Sequence, residues 1–324
     1  MLTKRLQVML DGFSGSTCCR SPVATSERYC QAMPDVAPVT VPVDGRELCV
    51  EAAGPPGGFP VVVEHGSPGS RHLSPGLVRM ASQNGLRMIG YDRPGYGGST
   101  AQPGRVVADC AADVTAIAGN LGVGRLAVWG VSGGGPCALA SAALLPDLVI
   151  AACVFASLGP CGEPGLDYLQ GMGEDDREEV RLFFEDRAQA REKFRVDTAA
   201  WINEQGEAGD LLARWGDQAE TDAAHSRELA EYLVRGWREG LRSGDQGYWD
   251  DHASHLSPWG FDVGAIGVPV QLWHGLSDTF VPPSHGQWLA RQIPGVEQHF
   301  PEADGHGVEF NHRSEACEWL KQQF

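Results

Sequence analysis

Leu126-Ala-Val-Trp-Gly130-Val-Ser132-Gly-Gly134-Gly-Pro136 decides the fold of this 324-residue chain. A short apolar run, which predicts a buried strand, leads straight into G-x-S-x-G. The small-residue segment Cys137–Leu145 follows with helix character. Strand, glycine-flanked Ser and helix, in that order, is the context of a nucleophile elbow. The glycines have a physical role. A Ser on so sharp a turn takes a strained backbone conformation, and a neighbouring Cβ would clash. The turn pushes the hydroxyl out of the fold above a helix N-terminus, which favours negative charge. Alone, the pentapeptide also fits a Gly-rich turn that cradles a phosphate. Its meaning rests on the partners a nucleophilic Ser needs.

Those partners are a base, usually His, and a carboxylate that orients it. With this elbow the chain order is Ser, acid, His. Val268–His274 reads as a later strand, and Asp278 follows in the loop Gly275-Leu-Ser-Asp278-Thr-Phe-Val281-Pro-Pro283. Ser-Asp-Thr is also ordinary turn chemistry. Val296–Phe300 reads as a further strand, followed by Glu302-Ala-Asp304-Gly-His306-Gly307. Of ten histidines, His306 alone combines a glycine-flanked loop with the required order. His65, His274 and His299 fall in or beside strand-like runs, where packing is the simpler role. His252 and His255 lie in a polar stretch and read as surface residues, and His312 opens a helix-like segment. Asp304 and Glu302 stand too near His306 in sequence for a usual triad carboxylate.

An early strand-like run, Phe59–Glu64, ends in His65-Gly-Ser67-Pro-Gly69. A backbone N–H from this loop, with that of the residue after the nucleophile, would hold a developing oxyanion. Ser67 and Gly133 are the candidates, since Pro68 has no N–H. On its own the loop reads equally as a Gly/Pro turn.

With its motifs HGSPG (65–69), YDRPGYGGS (91–99), GVSGG (130–134), GLSDTFVPP (275–283) and DGHG (304–307), the chain resembles the α/β-hydrolase-fold serine hydrolases that carry a cap. The resemblance runs from about residue 37 to the end. It implies a mostly parallel eight-stranded sheet flanked by helices, with an inserted helical cap. It also implies a triad of Ser132, Asp278 and His306, an oxyanion hole at Ser67 and Gly133, no cofactor and no metal. Asp92–Ser99 is expected to be a structural turn.

Outward from the elbow, the pattern predicts a hairpin (Val36–Val41 and Glu47–Ala52 around Pro42–Gly45). It also predicts a strand at 60–64, a helix over Leu73–Gln83, a strand over Leu86–Tyr91 and a helix over Val106–Leu121, with Asp109 and Asp113 on its outer face. Val149–Ala156 reads as a central parallel strand. From Leu158 the strands stop, and amphipathic stretches at Glu178–Lys193, Ala208–Trp215 and Arg227–Arg242 follow. The expected division is an extension at 1–36, a core at 37–157 and 259–324, and a cap at 158–258. A final helix is expected at Glu315–Phe324. Most cap aromatics should pack the cap's own core, with a minority facing Ser132.

Composition narrows the partners. The net charge of −17 speaks against nucleic acid or an anionic membrane, and no stretch reads as a membrane span. A small-molecule substrate fits, and a homo-oligomer is compatible. Nine cysteines show no metal spacing. Cys49, Cys110, Cys137 and Cys153 read as small thiols in strands or helices, which points to a reducing cytoplasm.

The expectation is a carboxylesterase-like hydrolase of a small apolar ester. The alternatives are an aminopeptidase of the proline iminopeptidase type, or a lyase or perhydrolase on the same fold. An aminopeptidase needs acidic cap residues for a free amine, and Glu174, Asp175, Asp176, Glu204 and Glu207 are available. HGSPG and GVSGG differ from that group's typical HGGPG and GGSWG. A ligand-binding member without catalysis is the alternative from another class, and it has no need of an intact triad.

Overall fold

In the computed structural model, which describes residues 38–203 and 223–324, strands join in one sheet ordered β1-β2-β4-β3-β5-β6-β7-β8. They are β1 (Val39–Val43), β2 (Arg46–Ala53), β3 (Phe59–Glu64), β4 (Leu86–Tyr91), β5 (Leu126–Val131), β6 (Val149–Phe155), β7 (Val270–Trp273) and β8 (Glu297–His299). Only β1–β2 and β2–β4 pair antiparallel, and every later pair is parallel. The mostly parallel sheet is as expected. The hairpin turn is tighter than its signal suggested. Val43 pairs with Arg46 across Asp44 and Gly45, both at positive φ (47° and 77°), the geometry of a type I′ turn. The expected N-terminal extension lies outside the described residues.

The central strands are apolar on both faces because both faces are covered. In β3, β5 and β6 alternate side chains enter opposite layers. Val62, Val128 and Val154 meet α2 (Cys110–Leu121), α3 (Gly135–Leu144) and α8 (Pro283–Gln292) through residues such as Ile117, Leu139 and Leu289. Val61, Trp129 and Phe155 meet α1 (Pro75–Gln83) and α9 (Val308–Lys321) through Leu77, Ala316 and Leu320. The last helix therefore begins well before the expected Glu315. Asp113 is buried in α2 against Arg46 at 3.0 Å, not on an outer face.

Between β6 and β7 the described residues add no strand, and their α-helices are α4 (Glu174–Glu185), α5 (Arg187–Asn203), α6 (Ala223–Gly240) and α7 (Gln246–His255). The single helix expected over 178–193 is two. Asp186 leaves the helical region, and its Oδ1 accepts the N–H groups of Ala188 and Gln189, so it caps α5. The stretch expected at Ala208–Trp215 lies outside the described residues. Phe183, Phe194 and Trp249 bury in a cluster that continues into the sheet layer holding Leu139, whereas Phe184 is 60% exposed.

Cys110 and Cys137 are joined in a disulfide between α2 and α3, not held as thiols. They lend no support to the reducing compartment read from them. Cys153 is a buried thiol as expected, and Cys49 is only partly covered. Among the described residues no helix is long and apolar enough to cross a membrane.

Candidate active site

β5 delivers Ser132 onto a turn with φ 53°, and α3 starts three residues later. This is the left-handed region that a non-glycine residue enters at a cost. The space around it explains the flanking glycines. A Cβ on Gly130 would lie 2.7 Å from Ala138 Cβ, and one on Gly134 would overlap the carbonyl oxygens of Glu64 and His65.

The loops after β7 and β8 converge on this turn. Ser132 Oγ–H donates to His306 Nε2 at 3.0 Å, and His306 Nδ1–H donates to Asp278 Oδ2 at 2.8 Å. The second oxygen of Asp278 accepts the N–H groups of Phe280 and Val281, both at 2.9 Å. Burial opposes the charge on Asp278, yet His306, then His274 and the Val281 N–H hold its carboxyl below the usual range. The nearby carboxylate Asp304 faces elsewhere, accepting from Asn311 and His312. His274 is buried, as a packing role requires, but it also bonds the Val281 carbonyl and so braces the Asp278 loop.

The other two predicted positions also meet. A Cβ on Gly133 would overlap Ser67 Oγ, so the loop after β3 packs directly on the residue after Ser132. Ser67 Oγ–H donates to Asp251 Oδ2 at 2.5 Å and accepts from the Arg93 guanidinium at 3.0 Å.

With the fold and this convergence in view, the alpha/beta hydrolase fold family matches residues 60–312. The chain belongs to that family. A probable proline iminopeptidase of Streptomyces coelicolor is 36% identical over 131 residues, 38% of this chain. The chain spans 38% of the length of that curated relative. An alpha/beta hydrolase fold protein of Nakamurella multipartita matches at 27% identity and TM-score 0.61, covering 88% of this chain and 99% of that one. An esterase of Thermogutta terrifontis matches at 21% and 0.60, over 88% and 98%. A bromoperoxidase of Bacillus anthracis matches at 21% and 0.64, over 87% and 98%.

In this member of the family Ser132 opens onto a cavity with two lobes. The larger, about 350 Å³, is walled near Ser132 by Leu77, Trp129 and Val131 and roofed by Tyr232, Leu233 and Trp237 of α6. The smaller, about 200 Å³, holds Asp176, Glu179, His252 and His255. Phe280, 39% exposed, lines both lobes and leans on the His306 ring at 5.4 Å. Burial, then Asp176, pushes the Glu179 carboxyl up to about 7. Burial pushes His252 down to about 3. Among the described residues no group of three His, Cys, Asp or Glu side chains is arranged to hold a metal ion.

Sequence reasoning missed several polar residues at this site. His252 and His255 are not surface residues. His255 is buried, and its Nε2–H donates to the Gly133 carbonyl at 3.0 Å. Asp251, fully buried, accepts from Ser67, Arg93, Arg105 and Tyr96. Burial works against its charge, but Arg93 and Arg105 hold its carboxyl well below the usual range. The Asp92–Ser99 segment is a turn, as the resemblance implied. Asp92 accepts the Gly98 N–H, and its carbonyl takes the Ser99 hydroxyl. Yet Arg93 reaches Ser67, so the turn also touches the site. The available signal was the i, i+4 spacing of Asp251 and His255, which places both on one helix face.

Proposed function

We propose that this α/β hydrolase cleaves an ester of a small, largely apolar substrate through a covalent acyl-enzyme. The reading rests on one observation, the hydrogen-bonded chain Ser132–His306–Asp278 at the floor of an apolar cavity. Ser132 attacks the carbonyl carbon while His306 Nε2 takes its proton, and Asp278 holds the tautomer and stabilises the imidazolium. The N–H groups of Ser67 and Gly133 receive the oxyanion. His306 protonates the departing alkoxide, then activates the water that releases the acid. The helices between β6 and β7 serve as a cap that closes the cavity and selects the substrate.

A second reading has its own support. Asp176 and Glu179 face the smaller lobe beside Ser132, where a substrate's free amine would find negative charge. An aminopeptidase on the same triad would use them so, and the partial relative from Streptomyces coelicolor bears that name.

The test is a panel of p-nitrophenyl esters, acetate through decanoate, run beside a prolyl amide on wild type and Ser132→Ala. Ester turnover that disappears in Ser132→Ala supports the esterase. Turnover of the amide alone transfers the assignment to the aminopeptidase. No turnover of either contradicts both.

A further inference from the structure

Helix α7 touches both residues proposed to bind the oxyanion, from one face and one turn apart. Asp251 Oδ2 accepts the Ser67 hydroxyl at 2.5 Å. His255 Nε2–H donates to the Gly133 carbonyl at 3.0 Å. A Cβ on Gly133 would sit 3.1 Å from His255 Cε1 and overlap Ser67 Oγ, so both side chains pack against Gly133. We propose that Asp251 and His255 are the positioning residues of the oxyanion hole, α7 fixing the Ser67 backbone through its side chain and the Gly133 backbone through its carbonyl. This rests on the acyl-transfer reading given above.

The physical case is one of leverage on N–H direction. An oxyanion donor contributes fully only near 2.7–3.1 Å from the developing charge, so a small peptide rotation is costly. The Gly133 carbonyl belongs to a glycine, whose backbone is the least restrained of any residue. The imidazole anchors it. The Ser67 loop is fixed in the same way by a fully buried network. Arg93 reaches Ser67 Oγ, Asp251 and the His65 carbonyl, and Tyr96 and Arg105 complete Asp251. Burial holds His255 down to about 4, so at neutral pH its ring carries one N–H, and that one faces Gly133. Neither residue touches Ser132 Oγ or His306 through any hydrogen bond among the described residues, so they act through the donors.

The inference is tested on His255→Leu, His255→Gln and Ser67→Ala, with active sites counted by p-nitrophenol release from a p-nitrophenyl phosphonate. Steady-state kinetics on a p-nitrophenyl ester are then expressed per titrated site. For His255→Leu, kcat per site should fall about tenfold, less than the 10²–10³ of deleting a donor, with KM within about threefold. The Ki of a trifluoromethyl ketone, whose hemiketal oxyanion uses the same hole, should rise in proportion to the loss in kcat/KM. His255→Gln, which keeps an N–H donor, should recover most of the rate. Ser67→Ala should lose about three- to tenfold in kcat by the same route. Should His255→Leu yield no titratable sites, Ser67→Ala decides alone. Rates per site within about twofold of wild type, or a loss confined to KM, overturn the inference. A wild type without ester turnover, or turnover that survives in Ser132→Ala, instead overturns the acyl-transfer reading, and this inference with it.

Discussion

At the scale of single residues, the site is a set of conformations that few side chains tolerate. Ser132 sits at φ 53°, and Gly134 packs where any Cβ would meet the Glu64 and His65 carbonyls. Gly134→Ala should therefore lower stability by about 1–3 kcal/mol, as overpacking does, and distort the elbow. Urea unfolding and ester turnover measured together check this, and an unchanged midpoint with full activity contradicts the packing account. Asp278→Asn keeps the shape but removes the charge facing His306 and permits the wrong tautomer. It should cut kcat by about 10³–10⁴-fold with little change in KM. These residues were legible because strain and loop position leave a mark in the sequence, namely glycines around Ser132 and His306 in G-x-S-x-G and D-G-H-G. Asp251 and His255 left no such mark. Asp-His-Ala-Ser-His reads as an exposed polar stretch until Arg93 and Arg105, remote in sequence, bury Asp251.

Among elements, α7 and α4 carry the polar side of the site. Asp251 ties α7 to the core by pairing with Arg93 and Arg105, each at 2.6 Å and all essentially buried. Asp251→Leu would leave two buried guanidinium groups without their carboxylate, at a cost of about 3–5 kcal/mol in chemical unfolding. A midpoint within error of wild type would mean that the pairing adds nothing. On α4, burial pushes the Glu179 carboxyl up to about 7 in the folded protein, against about 4.3 in the unfolded chain. Its stabilising contribution is complete at acid pH and is lost as pH rises towards and through 7. Glu179→Gln removes that loss. The variant should melt above wild type at pH 8 and level with it at pH 4, and a difference independent of pH contradicts the burial argument. The helical insertion was visible as a loss of strand pattern, but its helix boundaries were not. The break at Asp186 depends on a side-chain cap, and amphipathic periodicity runs straight across it.

Over the whole molecule, the sheet was the most legible feature. Parallel strands covered on both faces must be continuously apolar, and Leu126–Val131 and Val149–Phe155 are. The short strands were harder to bound, since β7 and β8 have only four and three residues and owe their pairing to neighbours. Cavity shape was not legible at all, because it arises where α6 and α7 close over the strand ends. A cavity of about 350 Å³ with Leu77, Trp129 and Leu233 in its walls should reward chain length. Across the p-nitrophenyl ester series, kcat/KM should climb about three- to fourfold per methylene until the lobe is full. A flat series contradicts an apolar acyl site. The central claim, that Ser132 carries the acyl group, has a more direct test. The enzyme is mixed with p-nitrophenyl acetate, quenched in acid within the first turnovers, digested and mapped by mass spectrometry. The account predicts one acetyl group on the peptide containing Ser132, none in Ser132→Ala, and accumulation in His306→Ala too slow to see. Acetyl groups spread over lysines, or turnover undiminished in Ser132→Ala, would contradict it.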